Sequence, residues 1–452
     1  MTDLETAKRA QEDAVRSIIQ ESMSKTGPKI NEFVTLGGAI EVTAARSSNF
    51  SGKTSDTVSI STAELDLEIR ANEWMLGTLV LNYDSGTNIL FPTTNGTNIG
   101  VDRVTVDQAT VLIGDVQRFP IFMKVGRDVL AFGTSTGTQR LDVLSINNPL
   151  SIEVFETRRN AIGVGFAFPT PEPGPPPPPV VVPPVRPLVL NPLVSSLGKW
   201  MGYVPSPLRP KPPTPMTFAP RPPPFYGMLY GYDANSEGIN RHMSGSLNGR
   251  LGYQASGHCG LPYSELTESW VCPWSFDLAV DYISSVFDSN FLTQEYQNFL
   301  PQIGKVPGMA VSLKAAIGRF LLITEWNGAL NAARFVDDAG RNISMTPSAW
   351  QVSLGYQFDW NPWVETIGGQ GTYIAVGYSR SAGLAGVTST ATGAPTRVGT
   401  VPQSRLILTA GEWVMEGARV ILEYSHIWDY PVSQGGTGRQ ADGVFLGLTY
   451  VW

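Results

Sequence analysis

The chain has no long apolar run. The nearest approach, around Val180 to Val194, is broken by Pro183, Pro184, Pro187 and Pro192. Nothing reaches the ~18 uninterrupted apolar residues of a spanning helix. Charge is also scarce: 16% of the 452 residues are Asp, Glu, Lys or Arg, against ~25% in soluble domains. Net charge is −7 with no Lys/Arg block, so a nucleic-acid partner has no support. Only two cysteines occur, Cys259 and Cys272, with no C-x-x-C, and the histidines (His242, His258, His426) are scattered. That argues against a zinc or other metal site, and no cofactor is expected. The Cys259–Cys272 pair reads as one loop disulfide in an oxidising compartment, with two free thiols as the alternative.

An enzyme is not expected either. A barrel hydrolase needs a Ser or Asp activated by His at a fixed site. His258 lies near Ser256 but within the cysteine loop. His426 shares a strand face with Val420, Leu422 and Tyr424 and should meet lipid or the interface.

What the chain has is glycine (46 residues), aromatics (10%) and a mean hydropathy of −0.04. Low charge without high hydropathy suits strands with one apolar and one polar face. In AELDLEIR, Leu65, Leu67 and Ile69 alternate with Glu64, Asp66, Glu68 and Arg70. In the final GVFLGLTYVW, Val444, Leu446, Leu448, Tyr450 and Trp452 share one face. Period two is the signature of a strand, and an apolar strand at a chain end avoids a free edge by closing a barrel.

Similar segments recur at Phe33–Ala45, Glu64–Arg70, Trp74–Tyr83, Val101–Gly114, Phe119–Arg127, Ala161–Phe168, Phe225–Tyr232 and Met243–Tyr253. They continue at Ser275–Val286, Met309–Ile317, Arg319–Trp326, Trp350–Phe358, Tyr373–Ser379, Arg405–Ala410, Arg419–Trp428 and Val444–Trp452. The fold class is therefore all-β: a transmembrane antiparallel barrel of about 16 strands in the bacterial outer membrane, in contact with its lipid. Leu150–Phe155 is a candidate seventeenth strand. Even parity assigns it instead to a long loop, Asp128 to Asn160, able to fold into the lumen and narrow it. Aromatics at strand ends, such as Tyr356, Phe358, Trp360 and Trp363, have girdle placement.

Two domains follow. Residues 1–32 form an N-terminal periplasmic helical segment, with Leu4, Ala7, Ala14, Val15 and Ile18 on one face, either a frayed tail or an oligomerising helix. Residues 33–452 form the barrel, with a Pro-rich insert at 169–224 that parity places in the periplasm. Its run PTPEPGPPPPPVVVPPVRP favours extended polyproline II, either as a disordered insert or as a spacer touching the cell wall. Parity puts the cysteine segment on that side too, and Asn290–Pro307, Asn327–Ser348, Ser381–Ser404 and Asp429–Asp442 outside. Met1–Lys29 has no apolar leader core, so an export signal is expected to precede this numbering or to have been removed. A homo-oligomer is compatible, with no interface signature.

Alternation gives the lumen candidates. With Leu65, Leu67 and Ile69 in lipid, Glu64, Asp66, Glu68 and Arg70 face inward; so do Arg103, Asp107, Lys124, Lys314, Glu325 and Glu423. A charge on the lipid face would cost up to ~2–4 kcal/mol at the midplane. Mixed charge rings sort solutes in a pore, or simply pair and stiffen the wall.

The ordered series GGAIEVTA, AELDLEI, FPIFMKVGRDVLAFG, NPLSIEVFETR, FLLITEWNGAL, SAWQVSLGYQF and EYSHIWDYPVSQGGTGRQAD, with the aromatic end, resembles the LbtU family of siderophore porins. The resemblance covers most of Phe33 to Trp452. It implies an outer-membrane barrel linked to iron uptake through legiobactin-type siderophores, with an N-terminal periplasmic helix matching Met1–Lys29. The Pro-rich insert and the cysteine pair depart from the family, which offers no catalytic signature to transfer. The expected activity is a pore or receptor for a ferric siderophore or similar small solute, without a TonB-type plug, since a plugged transporter needs a plug domain and ~22 strands. A general diffusion porin for sugars or ions, and a structural or adhesive surface protein, are the alternatives.

Overall fold

The computed structural model describes residues 33–84, 103–115, 118–135, 144–168, 225–234, 246–258, 273–358, 372–384, 387–389, 396–397, 401–415 and 417–452. The N-terminal helix, the Pro-rich insert and the cysteine pair lie outside them.

The strands are β1 (Val34–Ser48), β2 (Thr54–Asn72), β3 (Met75–Asp84), β4 (Arg103–Ile113), β5 (Ile121–Val129), β6 (Arg158–Ala167) and β7 (Phe225–Tyr232). There follow β8 (Leu247–His258), β9 (Pro273–Ile283), β10 (Gly308–Ile317), β11 (Phe320–Ala329), β12 (Ala333–Val336), β13 (Asn342–Met345) and β14 (Ser348–Gln357). The last are β15 (Thr372–Ala382), β16 (Thr388–Ser389), β17 (Thr396–Arg397), β18 (Ser404–Met415), β19 (Ala418–Trp428) and β20 (Gln440–Val451). All except two small hairpins, β12–β13 and β16–β17, form one closed barrel of 16 strands in chain order.

The chain end makes the closure. β20 pairs with β1 from Ala39↔Val451 to Ser47↔Gly443, and Trp452 exchanges backbone hydrogen bonds of 3.2 Å with Gly38. A Cβ at position 38 would lie 2.5 Å from the Trp452 ring, so only glycine lets the last aromatic seat there.

Alternation sorts the wall as the sequence predicts. On β20, Val444, Leu446, Leu448 and Tyr450 are exposed outward while Phe445 and Thr449 are buried inside. Aromatic contacts band the outer wall at two heights. Near the rim where β1 starts and β20 ends are Phe225–Tyr253 and Phe320–Tyr356 (ring centroids 4.9 Å each) and Tyr450–Trp452 (5.9 Å). Near the opposite, loop rim are Trp350–Tyr378 (5.4 Å) and Tyr378–Trp428 (6.4 Å). From Trp428 to Ala418 on β19, strand rise and tilt give roughly 25 Å, a membrane's apolar thickness.

Segment ends differ from the sequence reading where polarity hides the period. β2 begins at Thr54, ten positions ahead of the predicted Glu64, because TSDTVSIST projects beyond the apolar band. Leu150–Phe155 is a short helix in the loop between β5 and β6. Its Leu150 and Val154, four apart, are buried together, and the same spacing mimics a strand in sequence.

Candidate functional site

The described parts of the loop between β5 and β6, residues 130–135 and 144–157, lie inside the barrel and are fastened to its inner wall. The loop's first contacts are with β8, β9, β11 and β14. The Gly133 amide donates to Asp281 Oδ2 at 2.7 Å, and Arg250 holds the other oxygen of Asp281 at 2.6 Å. Gly133 has φ +79°, and a Cβ there would lie 2.5 Å from Glu325 Oε2. Glu325 accepts from the Thr134 amide and from Gln351 Nε2 at 3.0 Å.

The loop's second half is fastened to β18 and β19. Glu423 accepts from the amides of Ile146 and Asn147 and from Asn147 Nδ2. Arg405 donates to the Asn148 carbonyl at 2.7 Å and pairs with Glu153 at 3.2 Å. Burial pushes the Glu153 carboxyl up to about 7, against the opposing pull of Arg405. Back at the origin, Arg158 lies 2.7 Å from Asp107 and also pairs with Glu156.

Two β-bulges set carboxylates on the inner wall. Between β1 and β2, Glu41 faces Thr62 while Val42 faces Ile60, leaving Ser61 over. Ser61 Oγ donates to Glu41 Oε1 at 2.6 Å, and Thr449 Oγ1 to Oε2 at 3.0 Å. Between β3 and β4, Val80 faces Gln108 while Leu81 faces Val106. The extra residue is Asp107, so Asp107 and Gln108 are both buried.

Of the sequence candidates, Glu64, Asp66, Asp107, Lys124, Glu325 and Glu423 are all buried, Glu423 completely (0% exposed). Glu64, Asp66 and Glu68 alternate on β2 with the exposed Leu65 and Ile69. Lys124 pairs with Asp128 at 2.7 Å. Lys314 is half-buried, on the parity of buried Ser312. Arg70 is at the rim, its side chain 62% exposed and 3.8 Å from Glu68. Arg103 opens β4; its side chain is outside the described part. The structure joins Glu325 and Glu423 through one loop and ties Asp107 to that loop's exit. Lys124 belongs to a separate cluster in which Tyr230 donates to Asp128 at 2.9 Å.

Sequence reasoning missed Glu41, Asp281 and Arg405, although each alternates with apolar neighbours and the same rule finds them. Glu153 and Glu156 carried no such signal, since their place depends on the loop's path. Outside, His426 meets Asp442 Oδ1 at 2.6 Å, as does Tyr424.

A sealed cylinder with an apolar, twice-banded exterior and a fastened inner loop is a transmembrane β-barrel of the bacterial outer membrane. No protein-family model matches the chain. A UPF0422 protein of Coxiella burnetii is 27% identical over 132 residues, 29% of this chain and 25% of that protein. The match thus spans about a quarter of that relative's length. Among solved structures, OmpF of Salmonella typhi in complex with daunomycin has 12% identity and TM-score 0.47, covering 93% of this chain and 97% of that one. OprB of Pseudomonas putida has 10% identity and TM-score 0.45, covering 93% and 94%. The outer-membrane channel DcaP of Acinetobacter baumannii has 9% identity and TM-score 0.44, covering 94% and 100%. At these identities and TM-scores the likeness says nothing of the chemistry of the lumen.

Proposed function

We propose that the barrel is an outer-membrane channel for small polar solutes, narrowed by the loop Leu130–Thr157. The observation that carries this is the fastening of the loop to Glu325, Glu423 and Arg405, which leaves ionisable and amide groups where the passage is tightest. In this reading Glu64, Asp66, Glu68, Arg70, Arg103, Asp107, Lys124 and Lys314 line the rest of the path. The rim where β1 starts and β20 ends faces the periplasm, where the Pro-rich insert spaces the barrel from the cell wall. Ferric siderophores are the first cargo to test, on the strength of the ordered motifs shared with the siderophore porins. Self-association through the outer wall is compatible with the channel.

Reconstitution in planar bilayers tests the channel: discrete conductance steps are expected, larger when the loop is released by Glu423→Ala. A labelled ferric siderophore should enter iron-starved cells more slowly when the gene is deleted. Equal uptake would leave a general porin. One observation favours a different reading, a closed structural barrel: the half of the lumen around β5–β11 is packed with apolar side chains. Bilayers that stay sealed with wild type and Glu423→Ala alike would establish it.

A further inference from the structure

We propose that the outer wall at the loop rim binds the phosphorylated headgroup of a membrane glycolipid. The register aligns Arg380, Ser404, Trp428 and Gln440 in one row across β15, β18, β19 and β20. All four share the outward parity of Val376, Leu408, Leu422 and Val444, which are exposed. Ser404 is small and stands between an arginine and a tryptophan. The gap it leaves is a cleft of about 460 Å³, walled also by Tyr378 and Arg439, a volume typical of small-molecule sites.

The chemistry of the walls selects the occupant. Arg380 has no protein partner among the described residues, and Arg439 makes only a long 3.4 Å bond to the Phe50 carbonyl through one nitrogen. Two guanidinium forks at one cleft suit phosphate oxygens, which they bind bidentately. The nearby carboxylates are already engaged. Asp429 accepts from the Tyr430 and Thr437 amides and the Thr437 hydroxyl at 2.7–2.8 Å. Asp442 accepts from Tyr424 at 2.6 Å and meets His426 at 2.6 Å. Trp428 and Tyr378 line the same cleft, and aromatic rings pack against the apolar side of a sugar ring. Depth along the wall supplies the lipid. The next row, Tyr378, Leu406, His426 and Asp442, is still mixed. Below it lie Val376, Leu408, Tyr424 and Val444, where acyl chains would continue. Arginines that only snorkel to the interface would need neither the cleft nor each other.

The test titrates detergent-purified barrel with a diphosphorylated, acylated glucosamine disaccharide and counts bound lipid by native mass spectrometry. One lipid per barrel is expected. Arg380→Gln with Arg439→Gln should weaken binding at least tenfold, the dephosphorylated lipid should bind as weakly to wild type, and Gln440→Arg, which adds a third guanidinium at the rim, should tighten it. Millimolar inorganic phosphate should not displace the lipid; displacement would make the ligand free phosphate and overturn the lipid assignment. Unchanged binding by the double variant, with its circular dichroism intact, would overturn the site. Should that variant fail to fold, failure of Gln440→Arg to tighten binding would do the same.

Discussion

Two parts of one wall follow the same alternation and are filled in opposite ways. On β7 the inward positions are Tyr226, Met228, Tyr230 and Tyr232, all buried. Their rings use space left by glycine: a Cβ at Gly252 would lie 2.1 Å from Tyr226, and one at Gly163 2.4 Å from Tyr230. They join a core with Phe122, Leu150, Phe155 and Phe287 that reaches the loop helix and the segment after β9. Across the barrel, β20 and β1 turn Thr449, Glu41 and Thr43 inward, and hydroxyl–carboxylate bonds replace ring packing. Periodicity decides only which side chains face in. Their size and polarity decide whether that half becomes a packed anchor or a polar wall with a fastened loop.

The largest effect is expected from breaking the anchor. Phe122 is buried and sits against Gly165, so Phe122→Ala should cost about 3–5 kcal/mol. Thr43→Ala on the polar wall should cost about 1 kcal/mol, the net worth of one hydrogen bond. Equilibrium unfolding in guanidinium from lipid vesicles measures both. Equal shifts would erase the distinction between the two halves.

A smaller, local effect is expected at the polar wall. Glu423→Gln keeps the shape but loses the charge that the Ile146 and Asn147 amides donate to. Charge-assisted bonds are worth about 1.5–3 kcal/mol, which should free the loop without unfolding the barrel. Hydrogen exchange at those two amides should accelerate while β7 amides keep their protection. Joint acceleration of both regions would mean that the halves are one cooperative unit.

Why the barrel was legible strand by strand and the loop only in outline follows from where the signal resides. Leu65 and Ile69, or Val444, Leu446 and Leu448, meet lipid, so their period survives in the sequence whatever lies inside. Beyond the apolar band the rule loses its contrast, and the start of β2 at Thr54 went unread. Inside, the rule gives direction without partners: it placed Glu325 and Glu423 inward, and parity allowed a loop into the lumen, but neither gave the bonds between them. PLSIEVFE carries Ile152 and Val154 at strand spacing, yet it is a helix because Leu150, Val154 and Phe155 pack into the core beside Phe132 (ring centroids of Phe132 and Phe155 6.0 Å apart). That contact is tertiary and leaves no periodic trace. The bulges at Ser61 and Asp107 are equally silent, since each shifts a register by one residue without changing composition.

The smallest effect concerns a single proton. Glu153 has its carboxyl raised from 4.5 to about 7. The folded state therefore holds this proton between those values while an unfolded chain releases it. Stability must then fall as pH rises from 4.5 to 7 and level off above it. Glu153→Gln imitates the protonated form and should remove this component from the pH dependence of the guanidinium midpoint. In bilayers the same group becomes negative at the constriction as pH passes 7. Cation preference over chloride should rise roughly twofold between pH 6 and 8 in wild type and stay level in Glu153→Gln. A wild-type preference that is flat over that range would place Glu153 away from the path of the ions and confine the charged constriction to Glu325 and Glu423, sharpening the contrast between the fastened wall and the packed one.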